Sequence, residues 1–240
     1  MKIGLKMYYP SEMKEAGNAI KECDFLEFMA VEGTDYSSLK GIGLPITLHC
    51  EHESFGVNFA NPKAAEKNCR ALEFALETAR LLDSETIVVH PGNLEGNDCS
   101  LKNSTGLIQE FGPKRLFVEN MPCINFQSRL CLTPEDCTEY LKSAKTNFCL
   151  DFAHAAETAA VLGKESQEFI EGFLKLKPKY FHLCDSLIEG KQFKSHLHFG
   201  EGNLPLEKFA KAVPKNSKAA IETWNHPEKS LKDIEFLRQF

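Results

Sequence analysis

Asn147-Phe148-Cys149-Leu150-Asp151-Phe152-Ala153-His154 is a short apolar run that ends in a carboxylate, with an imidazole three residues further on. A run of this length reads as a buried strand, and its carboxylate stands where the next helix would begin. The same grammar recurs along the chain. Strand-like runs are read at Ile3–Tyr8, Phe25–Ala30, Ile46–Cys50, Thr86–His90, Arg115–Glu119, Asn147–Asp151, Tyr180–Cys184 and Ala219–Glu222. Longer amphipathic runs separate them, at about the 30 residues of one strand–helix–strand unit. Such a rhythm implies a parallel sheet, and eight repeats favour a closed barrel over an open one. The expected fold class is α/β, a single (β/α)8 TIM barrel, with residues 1–240 forming one domain.

The helix signals agree with this rhythm. Asn61-Pro62 reads as N-cap and first helical residue, and Ala65, Cys69, Leu72, Leu76 and Ala79 follow at three- or four-residue spacing. Thr133-Pro134-Glu135-Asp136 reads as a capping box. Ser11, Leu204-Pro205 and His226-Pro227 mark further starts, and Gly92–Gly106, rich in Gly, Asn and Ser, reads as one long loop.

Composition narrows the classes. At 240 residues and 42% hydrophobic, the chain can bury a core without staples. A formal net charge of −6 gives no long-range attraction to a polyanion, which argues against nucleic acid as partner. No apolar run approaches the ~18–20 residues of a membrane span. The chain opens directly on its first strand, and the nine cysteines, with no Cys-x-x-Cys pair, read as reduced thiols. The expected location is therefore the cytoplasm, with no membrane partner.

The polar exceptions collect at one end of the strands. Strand three runs into His49-Cys50-Glu51-His52, strand four into His90-Pro91-Gly92 and strand five into Glu119-Asn120. Strand six ends in Asp151, with His154 beyond it. Strand seven carries His182 and Asp185, His196 and His198 follow, and strand eight ends in Glu222. In a closed barrel these ends share one face. Imidazoles and carboxylates converging there suit a divalent metal: zinc, manganese, cobalt or magnesium. Each residue alone has a plainer reading. Asp151 can simply cap a helix, Asp185-Ser186 can be a turn, and a single strand-end histidine can be a hydrogen-bonded core residue.

At these residues the chain resembles the xylose isomerase-like barrel superfamily, which holds metal-dependent sugar isomerases and epimerases as well as endonuclease IV. The resemblance rests on His52-Glu53-Ser54-Phe55 with Asn58, His90-Pro91-Gly92, Glu119-Asn120-Met121-Pro122, Asp151-Phe152-Ala153-His154, His182-Leu183-Cys184-Asp185-Ser186, Gly200-Glu201-Gly202-Asn203 and Glu222-Thr223. The isomerase branch implies a four-ligand metal site at Glu119, Asp151, His182 and Glu222. It also implies catalysis by Glu119 and Glu222, which pass a substrate proton through an enediolate. His154, His196, His49, Asn120 and Trp224 are then substrate-binding candidates for a small sugar or sugar phosphate. The endonuclease branch implies further zinc at His52 and His90, sharing Glu119, and a phosphodiesterase acting on abasic DNA. It also implies an Asp two residues before His196, where this chain has Lys194, and a Tyr where it has Phe55. The expected function is therefore a metal-dependent sugar isomerase or epimerase. The zinc phosphodiesterase is the alternative, and a barrel that binds metal and ligand without turnover is a third reading.

Overall fold

Eight parallel strands close on themselves. In the computed structural model, which describes residues 1–224 and 226–240, the chain forms ten strands: β1 (Lys2–Met7), β2 (Phe25–Ala30), β3 (Ile46–Cys50), β4 (Ile87–Val89), β5 (Leu116–Glu119), β6 (Asn147–Asp151), β7 (Tyr180–Leu183), β8 (Asp185–Glu189), β9 (Gln192–Leu197) and β10 (Lys218–Ile221). The barrel order is β1-β10-β7-β6-β5-β4-β3-β2, while β8 and β9 form a separate antiparallel hairpin after β7. This is the (β/α)8 barrel that the strand rhythm led us to expect.

Side chains alternate across each strand, so the barrel has two cores. Outward residues such as Leu5, Leu26, Phe28, Leu48, Val118 and Leu150 belong to the large cluster shared with the helices. Inward residues Phe25, Val88, Cys149, Tyr180 and Ala220 form a small plug, packed by Phe117. Gly4 makes room for that plug, because a Cβ there would lie 2.4 Å from the Phe25 ring. Two residues further along the same inward rows stand Lys6, Glu27, Glu119, Asp151, His182 and Glu222. The period of two thus sets an apolar floor and a polar ceiling.

The helices return each strand to the start of the next. Asn61 caps the turn that leads into α2 (Ala65–Leu81), with α1 (Met13–Ala16) before it. The Thr133–Asp136 capping box opens α4 (Pro134–Ala144), and Asp151 caps α5 (Phe152–Leu162). α6 (Ser166–Leu174) and α7 (Leu206–Ala212) follow, and His226 precedes α8 (Pro227–Leu237). The expected start at Ser11 is a short 3-10 turn at Pro10–Glu12, closed by Glu12 against the Tyr9 amide. The stretch Gly92–Gly106 is not one loop. Ser100 caps α3 (Leu101–Glu110), whose buried Ser104 bonds the Pro91 carbonyl and the Tyr140 hydroxyl. Polar residues turned inward concealed that helix's apolar period. Among the described residues, no helix is long and apolar enough to cross a membrane, and all nine cysteines are free.

Candidate metal centre

Glu119, Asp151, His182 and Glu222 arrive from β5, β6, β7 and the end of β10, and one ligand atom from each lies within 4.8 Å of the others. His182 Nδ1 stands 3.0 Å from both Glu119 Oε1 and Glu222 Oε2. Asp151 divides its oxygens. One accepts the His154 amide at 2.7 Å and caps α5, while the other is buried without a hydrogen-bond partner. Glu222 Oε2 is buried too, and the nitrogen facing it, His182 Nδ1, is shared with Glu119 Oε1. Three buried carboxylates sharing one imidazole, with an Asp151 oxygen left bare, are costly unless a cation sits among them. These residues therefore fit a divalent ion held at about 2.0–2.2 Å.

The electrostatics agree. Burial together with Glu119 and Glu222 pushes the Asp151 carboxyl up to about 7. Burial would do the same to Glu119 and Glu222, but His182 and the flanking His49 and His90 hold Glu119 well below its usual range. Lys6 and His182 do so for Glu222. Burial opposes a charge on His182, yet Cys149, Glu27, Glu119 and Glu222 outweigh it and raise its pKa. A metal at Nδ1 would take the place of that extra proton.

Two residues that the strand-end reading missed organise this centre. Glu27 of β2 accepts from His182 Nε2 at 3.1 Å and also from the Tyr180 hydroxyl. It thereby fixes the imidazole tautomer whose Nδ1 lone pair faces the centre. Lys6 of β1 donates to Glu222 Oε1 at 2.6 Å and lies 3.8 Å from Glu27. The available signal was period-two register: each stands two residues beyond Gly4 or Phe25 on the inward row.

Beside this quartet lies a second polar cluster. His90 Nδ1 donates to Glu53 at 2.9 Å, Arg129 donates to the other Glu53 oxygen at 2.9 Å, and His52 Nδ1 lies 3.6 Å from Glu53. His52 and His90 hold Glu53 far below the usual carboxylate range despite burial. Glu53 and Glu119 in turn raise His90 to about 9 against the pull of burial. His49 and His90 approach Glu119 Oε2 at 3.2 and 3.3 Å, so it is His49, not His52, that groups with His90 and Glu119. Burial and Lys6 lower His49 to about 4, and its Nδ1 donates to the Cys50 carbonyl. Gly92 must be glycine here: its φ is +107°, and a Cβ would lie 2.6 Å from Asn58 Oδ1.

The remaining candidates divide. Asn120 exchanges hydrogen bonds with the Asp151 backbone and holds β5 to β6. His154 Nδ1 donates to the Asn120 carbonyl and lies 3.4 Å from Glu119. His196 donates to the Glu222 carbonyl at 3.1 Å, and its ring centroid lies 6.5 Å from that of Trp224. Asp185 and His198 are structural. Asp185 accepts from the amides of Ser186, Gly200, Gly202 and Leu204, and His198 donates to Asp233. A cavity of about 540 Å³ opens over Lys6 and Glu222, walled by Tyr8, Tyr9 and Trp224. A larger one, about 630 Å³, lies outside the barrel among α5, α6 and α7 and touches no member of the quartet.

Fold and site together define a TIM barrel with a buried histidine–carboxylate cluster suited to a divalent metal at the C-terminal end of its strands. The chain belongs to the xylose isomerase-like TIM barrel family, whose model matches residues 37–240. It is 27% identical over 272 residues to an uncharacterized protein of Methanocaldococcus jannaschii, covering 100% of this chain and 89% of that protein. Among solved structures, it resembles a D-tagatose 3-epimerase-like protein (TM-score 0.74, 24% identity, 100% of this chain and 96% of that one). It equally resembles endonuclease IV from Thermus thermophilus (TM-score 0.74, 19% identity, 100% and 98%). A third similar structure, at TM-score 0.66 and 15% identity over 100% of this chain and 96% of that one, is the IolI protein with a bound zinc atom.

Proposed function

We propose that this protein is a divalent-metal-dependent isomerase or epimerase acting on a small sugar. The observation that carries the reading is the placement of Glu119 and Glu222: two carboxylates from different strands, each 3.0 Å from the same histidine nitrogen. Glu119, Asp151, His182 and Glu222 would hold the metal. When bound, zinc, manganese, cobalt or magnesium supplies a Lewis acid and a template for neighbouring substrate oxygens. The chain's own residues do the rest. One glutamate takes the proton from the carbon beside the carbonyl, and the other returns a proton to the enediolate. Lys6 favours the ionised form of Glu222, Glu27 keeps His182 oriented, and His154 and His196 would bond substrate hydroxyls.

The grouping of His49, His90 and Glu119 supports a second reading, a two-zinc phosphodiesterase. The closure of Glu53 by Arg129 and His90 weighs against it, since this cluster already holds its own cations. The test is solvent deuterium incorporation into sugars, followed by NMR with the metal-loaded protein. Glu222→Gln should cost on the order of 10²–10⁴ in exchange rate with the fold retained. Undiminished exchange in that variant overturns the isomerase reading.

A further inference from the structure

The cavity over Glu222 is built unlike a phosphate site. Its lining includes three aromatic rings, Tyr8, Tyr9 and Trp224, with Trp224 67% exposed at the mouth. The lysine among the described lining residues is Lys6, already committed to Glu222 at 2.6 Å and held near Glu27. His196 is tied to the Glu222 carbonyl. The other charged members are carboxylates: Glu222 itself, Glu12 and Glu15. The one helical turn that opens at this rim, Pro10–Glu12, has its amide end occupied by the protein's own anion, because the Tyr9 amide donates to Glu12 Oε1 at 3.0 Å. A phosphoryl dianion entering here would meet like charge and no uncommitted lysine or arginine among the described lining residues.

A neutral polyhydroxyl compound meets the opposite conditions. Aromatic faces cover the C–H side of a sugar ring and exclude water from it. The Glu15 carboxylate in the lining can accept hydroxyl hydrogen bonds. The volume lies within the range that takes a small-molecule ligand.

We infer that the substrate is an unphosphorylated sugar, lying with its carbon face against Tyr8, Tyr9 and Trp224 and its hydroxyls toward Glu15 and the metal quartet. This deepens, and rests on, the isomerase reading.

The experiment pairs two measurements on the manganese-loaded full chain. One is deuterium incorporation into a panel of free ketoses and their terminal phosphate esters. The other is thermal stabilisation by each compound. Exchange with a free ketose, at least tenfold above its phosphate ester in kcat/KM, is the expected result. Glu15→Lys should narrow that ratio, and Trp224→Ala should raise KM for the free sugar with a smaller change in kcat. Faster exchange with the phosphate ester overturns the inference and leaves the isomerase reading standing. Stabilisation by free sugars alone, with no exchange from any compound, overturns the isomerase reading and supports the neutral ligand. Neither exchange nor stabilisation by any free sugar overturns both.

Discussion

Two acidic centres lie side by side at the open end of the barrel, and they neutralise their charge differently. At Glu53, Arg129 and His90 both approach at 2.9 Å, with His52 close by, so the carboxylate is satisfied by side chains alone. In the quartet, three carboxylates share His182 and one borrowed lysine, and Asp151 keeps a buried oxygen with no hydrogen bond. A buried anion needs a countercharge or a proton. The first centre carries its countercharge in the sequence, and the second leaves room for one from outside. Glu157 on α5 is a third case. It accepts one bond from Ser195, forms no ion pair among the described residues, and burial pushes it up to about 7.

Four substitutions can break or sharpen this comparison. Removing Glu53 should be the most damaging, because it strands Arg129, which is 6% exposed. Glu53→Ala should cost roughly 2 kcal/mol in chemical denaturation, discounted from the ~3–5 kcal/mol of a fully buried pair because the Glu53 side chain is 29% exposed. A neutral result would mean that this centre is not closed by its own ion pairs.

Glu27→Gln should come next. It should weaken manganese or zinc binding by about tenfold in calorimetric titration, at the low end of the effect of losing a ligand's supporting carboxylate. His52→Ala, by contrast, should leave the metal content and affinity as they are. Loss of a tightly held zinc in elemental analysis of that variant would instead place a metal in the Glu53 centre.

The smallest effect concerns Glu157. Its folded pKa is raised, so the stability it contributes is full below about 4.5 and is lost as pH rises through about 7. Glu157→Gln should remove this dependence. Melting temperatures of the two proteins should differ little near pH 5 and favour the variant near pH 8, by about 2–4 °C, equivalent to ~1 kcal/mol. Parallel pH profiles would show that Glu157 has a counterion the geometry does not reveal.

The members of the quartet stood out in the sequence because Glu119, Asp151 and Glu222 each terminate an apolar run, where a charge cannot be explained by the strand itself, whereas their grouping with His182 came from the family resemblance. Lys6 and Glu27 were not, because each interrupts its run from inside, and a single charge there does not declare which way it faces. The pair His49 and His52 shows the same limit. Both close β3 in sequence, but only His49 lies on the inward row with Thr47, and the turn after β3 carries His52 toward Glu53. The hairpin β8–β9 was also unforeseen, although it brings His196 back over Glu222.

By itself, then, the chain determined the eight-strand rhythm, the helix caps at Asn61, Thr133 and Asp151, and the end of the barrel where the chemistry gathers. Those are local properties, set by hydrophobic period and by side chains bonding backbone a few residues away. Only the tertiary structure decided which polar groups meet. Closing β1 onto β10 and β2 brings Lys6 to Glu222 across 216 residues and sets Glu27 behind His182 across 155. Contacts of that range depend on register around the whole ring, which no single strand encodes.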